Sequence, residues 1–202
     1  MFLIIAAAIL LLAVVAALIL RKRKAEPSEG VWEIGPIISG RNYSINLPRY
    51  LESSLDFGPD AEPHYVTRHH GPLTGKKQIR MRCRIEAKAA TIYPAKFPDM
   101  PAQLTLYFQR KGDDWRTDGW RWWATFATIT GLADGEYEIV APLDANWTSV
   151  MELTAATHPE AFRAALADAD RVGFTFGGGD GFGHGVRATG PVRFVLTGFD
   201  IL

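Results

Sequence analysis

Ile79-Arg-Met-Arg-Cys-Arg-Ile-Glu86 alternates apolar and charged residues along a single run. Successive side chains on a strand point to opposite faces, so this run has one face for a core and one for solvent. The same period recurs at Leu104–Gln109, Glu136–Ala141, Val172–Phe176 and Val192–Thr197. Asp134-Gly135 separates Trp122–Ile129 from Glu136–Leu143, which predicts a hairpin with a slightly long loop. The phase slips at Gly198, because Leu196 is followed by Phe199 and Ile201, and a bulge in the last strand accounts for that. Only Thr157-His-Pro-Glu160 reads as a helix start. Thr157 is the expected N-cap, Glu160 completes a capping box, and Phe162, Ala165, Leu166 and Ala169 share a face. One short helix, expected over 158–168, among many strands argues for an all-β, two-sheet antiparallel sandwich, not for βαβ units. About eight strands are expected. Ile79, Met81, Leu104, Leu106, Phe108, Ile139, Phe174, Phe176, Phe194 and Leu196 belong in the core.

Outward from this pattern the chain divides into three. Residues 1–20 carry no charged, polar, Gly or Pro side chain. At about 1.5 Å per residue they match a bilayer's hydrocarbon thickness and predict a single transmembrane helix. A cleaved signal peptide would want its positive charge before the apolar run, whereas Arg21-Lys-Arg-Lys24 follows it. The expectation is an uncleaved signal-anchor whose four cations lie against lipid headgroups, so that residues 1–24 make the membrane contact. Flanking cations favour the cytoplasmic side, which predicts a single-pass protein, as in a bacterial inner membrane, with its domain in the cytoplasm. Residues 21–30 are basic flank and linker, and 31–202 the domain.

The chain of 202 residues holds 22 basic and 22 acidic ones, but all four cations of the flank precede every acidic residue. The domain is therefore net acidic and has no basic footprint for nucleic acid. A single cysteine, Cys83, rules out an intrachain disulfide and a cysteine-based zinc site. There is no Gly-x-Ser-x-Gly elbow and no Ser/His/Asp spacing tied to one, so the domain reads as non-catalytic.

Two windows stand out. Asp113–Trp123 holds four of the six tryptophans, and Trp122 and Trp123, being adjacent, cannot both enter one core. Trp123 is expected on the core face and Trp122 on the other. An indole left on the outer face either stacks on a sugar ring or is covered by a loop or the helix. Asp113, Asp114 and Asp118 depart from the twelve-residue calcium loop; if they hold an ion at all, it is a structural calcium, and no other cofactor is expected. The second window, Phe176–Val186, has six glycines in eleven residues. It lacks the Gly-Lys-Ser/Thr and following helix of a phosphate loop and occurs once, so a long loop with several positive φ angles is expected. His184 within it either pins the loop or touches a ligand. His64, His69 and His70 match no zinc spacing and predict an exposed turn before Gly71-Pro72. Arg80, Arg82 and Arg84 predict a solvated face with neighbouring carboxylates.

The runs Leu104–Phe108, Trp120–Ile129, Tyr137–Trp147 and Arg171–Phe176, with the helix before the last, resemble the galactose-binding-domain-like jelly rolls. These include carbohydrate-binding modules and the domain of a mitochondrial respiratory complex I assembly factor. The resemblance implies a jelly roll over residues 31–202. It places a ligand on a sheet face through Tyr107, Gln109 and Trp122, or in a loop through Trp115, Asp118 and Trp120. The expected function is a membrane-tethered, non-catalytic module for a glycan or glycolipid. The alternative is a membrane-anchored domain for protein–protein assembly or scaffolding. A sugar site needs an indole flanked by amide, carboxylate or Arg groups in a groove; a protein site needs a flatter apolar patch.

Overall fold

A computed structural model of the chain describes residues 30–179 and 182–202. The predicted membrane span and its basic flank lie outside the described residues, as does Asp180. Among the described residues no helix is long and apolar enough to cross a membrane.

In chain order the strands are β1 (Trp32–Gly35), β2 (Ile37–Ile38), β3 (Arg41–Asn42), β4 (Tyr50–Leu51), β5 (Ser54–Phe57), β6 (Tyr65–His69), β7 (Gln78–Glu86), β8 (Ile92–Pro94), β9 (Ala102–Arg110), β10 (Arg121–Trp123), β11 (Ile129–Thr130), β12 (Gly135–Pro142), β13 (Ala169–Gly178), β14 (Val186–Ala188) and β15 (Val192–Ile201), with one α-helix, α1 (Pro159–Ala167). The larger sheet has seven strands in the order β10-β9-β13-β6-β1-β4, with β11 also paired to β9. The smaller has four, β12-β7-β15-β5, and two short ribbons (β14-β8 and β2-β3) complete the set. Every pairing among these strands is antiparallel. The count exceeds the eight expected because β4, β10 and β11 have only two or three residues each, too few to show a period.

The core lies between the two sheets. Leu104, Leu106 and Phe108 of β9 and Val172, Phe174 and Phe176 of β13 face Ile79, Met81, Cys83 and Ile85 of β7, all buried. Phe194 of β15 meets Phe174 at 5.2 Å and Phe176 at 5.5 Å between ring centroids, and so joins the sheets. Each such side chain contributes about 1.5–3 kcal/mol by its burial. Leu196 is only partly buried, because the bulge displaces it: the β15–β7 register shifts between Leu196 and Gly198. Burial pushes the Cys83 thiol up to about 12, so it is unreactive at neutral pH. On the outer face of β7, Arg80, Arg82 and Arg84 meet Glu138, Asp200 and Glu86 at 3.4, 3.1 and 2.9 Å.

Three local expectations are corrected. The segments flanking Asp134-Gly135 are not a hairpin. β10 and β11 pair with β9 in the large sheet, while β12 pairs with β7 in the small one. A 3-10 turn at Thr125–Ala127 breaks the first segment, and the Asp134 carboxylate accepts the Ala87 and Lys88 amides, tying the crossover to the end of β7. The helix has no capping box. His158 is its N-cap with no side-chain bond, and Thr157 Oγ1 meets His158 Nδ1 and Thr154 instead. Ala169 belongs to β13, not to the helix face. Finally, the histidines do not form an exposed turn: His69 ends β6, which lies between β13 and β1 within the large sheet, and the half-buried His64 and His70 flank that strand.

Candidate functional site

The large sheet is covered on both faces, and its outer face is polar. Alternation puts Thr105, Tyr107 and Gln109 of β9 opposite to the core residues between them. The pairing then sets rows across the strands: Trp123, Tyr107, Gly173, Thr67 and Glu33 in one, and Arg121, Gln109, Arg171 and His69 in the next. Six of the nine buried polar residues among the described residues lie here: Glu33, Thr67, Thr105, Gln109, Arg121 and Thr175. A face that served only as packing would carry apolar groups instead. Gly173 is the β13 member of the first row, where β6 approaches so closely that a Cβ would stand 2.0 Å from the Val66 carbonyl.

A segment between β9 and β10 forms the wall. Asp113 Oδ1 accepts the Trp115 amide at 2.8 Å, and this turn holds Trp115 at a φ of +67°. Trp115 meets Tyr65 edge-on at 5.1 Å and lies under the Arg121 guanidinium, also at 5.1 Å. Arg121 bonds Asp113 Oδ1, and both side chains are buried. Asp114 makes a second turn, accepting the Arg116 and Thr117 amides, which hold its carboxyl below the usual range. Burial pushes the Tyr65 and Tyr107 phenols well up, so both stay neutral, and Tyr107 donates to Gln109 Oε1.

Between wall and floor is a pocket of about 160 Å³ lined by Glu33, Thr67, Gln109, Asp113, Trp115 and Arg171, among others. Glu33 accepts Arg49 at 3.0 Å and Arg171 at 2.9 Å. Arg171 also donates to Thr67 Oγ1 and to His69 Nε2, so the other ring nitrogen of His69 carries the proton that faces Asp170 at 3.3 Å. Four buried polar atoms of this region have no hydrogen-bond partner among the described residues: Asp113 Oδ2, Trp123 Nε1, Thr175 Oγ1 and Gln103 Oε1. A wider cleft of about 920 Å³ opens at the end of the small sheet, between residues 56–61, 86–90 and 189–193. It contains none of the predicted site residues.

The structure brings together Tyr107, Gln109 and Trp115. It separates the rest. Trp122 pairs with Phe108 and faces the core, meeting Phe162 at 4.9 Å, so it shares no face with Tyr107. Trp123 takes the outer position and stands beside Tyr107 at 5.5 Å, the reverse of the expected assignment. Trp120 is half-buried with its ring under Arg110, and Asp118 is exposed in the turn. His184 is exposed; it is His64 that secures the glycine-rich loop, through Nδ1 to the Gly183 carbonyl at 3.0 Å. Gly179, Gly183 and Gly185 do adopt positive φ. Glu33, Thr67 and Arg171 were not singled out from the sequence. A charged residue inside the apolar strand Trp32-Glu33-Ile34 was the available signal. Among the described residues no cluster of His, Cys, Asp or Glu is placed to hold a metal ion.

The loop's seat gives a direct test. A Cβ on Gly183 would fall 2.3 Å from the Tyr65 ring, at a φ of +72°. Gly183→Ala is expected to destabilise the domain by about 1–3 kcal/mol and to release Phe182 from Trp123. Urea titration and tryptophan emission read both effects; no change in either would mean that the loop does not rest on Tyr65. The chain matches no protein-family model and no curated protein, so the work of this face has to be argued from its own geometry.

Proposed function

We propose that the domain is a non-catalytic, jelly-roll glycan-binding module, tethered to a membrane by residues 1–24, with its ligand site on the outer face of the large sheet. One observation carries the reading: half-buried Trp115 stands over a pocket bearing an amide (Gln109), carboxylates (Glu33, Asp113) and a guanidinium (Arg171). Indole flanked by such groups is the combination that covers a sugar ring and bonds its hydroxyls. The two antiparallel sheets with one helix support the likeness to galactose-binding-domain-like folds. The carboxylates here are bonded to guanidiniums or backbone, which suits holding a ligand better than proton transfer.

The test is binding of the full chain in detergent to a glycan array, followed by titration of any hit. Trp115→Ala is expected to weaken binding about tenfold or more, while Trp120→Ala, outside the pocket, leaves it unchanged. Equal affinity in wild type and Trp115→Ala would remove this face from consideration. The second reading, a membrane-proximal assembly domain, draws support from exposed Tyr43, Ile45 and Tyr50 near the start of the described chain. Reporters fused after Leu202 bear on both: a cytoplasmic domain would favour assembly, and an exported one the glycan.

A further inference from the structure

The lining of the pocket is charged but balanced. Glu33, Asp113, Asp168 and Asp170 stand on or beside it, and so do Arg49, Arg110, Arg121 and Arg171. Each has an internal partner. Glu33 lies between Arg49 and Arg171, Asp113 against Arg121, Asp168 against Arg110 at 3.1 Å, and Asp170 against the protonated nitrogen of His69. The four carboxylates and four guanidiniums cancel in sum and each is hydrogen-bonded within the protein. An anionic or cationic ligand would therefore meet no net opposite charge, yet would lose its hydration on entry. Uncharged hydrogen-bonding capacity, by contrast, is unspent. Gln109 Oε1 is taken by the Tyr107 phenol, which orients the amide and leaves its two N–H groups to donate. Asp113 Oδ2 is a buried acceptor without a partner among the described residues. A donor and an acceptor side by side suit two hydroxyls of one ring.

Size narrows the choice further. The pocket's roughly 160 Å³ falls well below the about 300–1,000 Å³ of sites that take drug-sized ligands. Pro36, Ile37, Gly112, Asp113 and Trp115 are among its lining residues, and a volume of this size has room for one ring and not for its neighbour in a chain.

We propose that the pocket takes one uncharged pyranose ring, the terminal residue of its glycan, with Gln109 as donor and Asp113 as acceptor to its hydroxyls. This rests on the glycan reading above and specifies its ligand. The test titrates full-length protein in detergent with methyl galactoside, glucoside and mannoside, with methyl glucuronide and methyl glucosaminide, and with neutral tetrasaccharides ending in the same sugars. At least one neutral glycoside is expected to bind about tenfold more tightly than either charged one, and the matching tetrasaccharide to gain less than about threefold over it. Gln109→Glu retains an acceptor for Tyr107 but buries a new carboxylate, so its melting temperature is expected to fall. Titrated below that temperature, where circular dichroism shows it folded, it lacks the donors and is expected to bind the neutral ring about tenfold more weakly. A charged glycoside that binds as well, a large gain with chain length, or unaltered affinity in Gln109→Glu would overturn this inference while leaving a glycan module intact. Failure of every saccharide, single or polymeric, would overturn both.

Discussion

Arg121→Ala lowers the stability of the domain by about 3–5 kcal/mol at neutral pH, the cost of leaving a buried charge without its partner. The Asp113 side chain is fully buried and that of Arg121 is 4% exposed, so solvent cannot replace the lost guanidinium. Burial already pushes the Asp113 carboxyl above its ordinary value, outweighing the Trp115 amide and the charge and hydrogen bond of Arg121. Without Arg121 the carboxyl rises further. A carboxyl with a raised folded value binds its proton more tightly folded than unfolded. The stability it lends is full below the unfolded value of 3.8 and is lost as pH rises through the folded one. The deficit of the variant is therefore smallest in acid. Chemical denaturation at about pH 4 and about pH 7 measures it, and adding Asp113→Asn is expected to recover part of the loss. Equal deficits at both pH values would assign the effect to lost packing on Trp115 instead.

Trp122→Ala is the second large effect, also about 3–5 kcal/mol, or a melting point lower by roughly 10 °C. Trp122 is fully buried, its indole N–H donates to the Gly119 carbonyl at 2.8 Å, and its ring anchors Phe162 of α1. The truncation would leave a cavity between helix and sheet and free the turn that ends at Gly119. Trp123→Ala should cost less in stability, because its ring packs in a small satellite cluster with Tyr65 and Tyr107, and its N–H has no partner among the described residues to lose. Thermal melts of the two variants settle the order. A larger loss for Trp123 would mean that the satellite cluster, and not the inter-sheet core, anchors this strand.

Much of the fold was legible because period two is a local property. In β7 every second residue is apolar, and each of those is buried. β13 shows why the pattern fades elsewhere: from Val172 to Gly178 it is buried on both faces, so apolar and polar positions no longer report which side is which. The same ambiguity misassigned Trp122 and Trp123. Both are large and both are buried, one against the helix and one against the glycine-rich loop. Adjacency required them to point apart, but only the pairing of Trp122 with Phe108 says which way.

For the candidate site, composition brought attention to Trp115, since an indole-rich turn is visible in one dimension, while Tyr107 and Gln109 entered only through the resemblance to the galactose-binding-domain-like jelly rolls. Glu33 and Arg171 were not, being 138 positions apart in the chain and joined only when β1 and β13 flank β6. The amino-acid sequence by itself determined that this domain is built of strands, where the last of them bulges, and most of the residues that carry the inter-sheet core, Leu196 and Trp122 being the exceptions. All of these follow from the alternation of neighbouring side chains and from where glycine interrupts it. Only the tertiary structure decided that the segments around Asp134 cross between sheets, and that the outer face of the large sheet is a paired, polar pocket. Strand order and ion pairing are free-energy choices among residues far apart in the chain, so local alternation carries no trace of them.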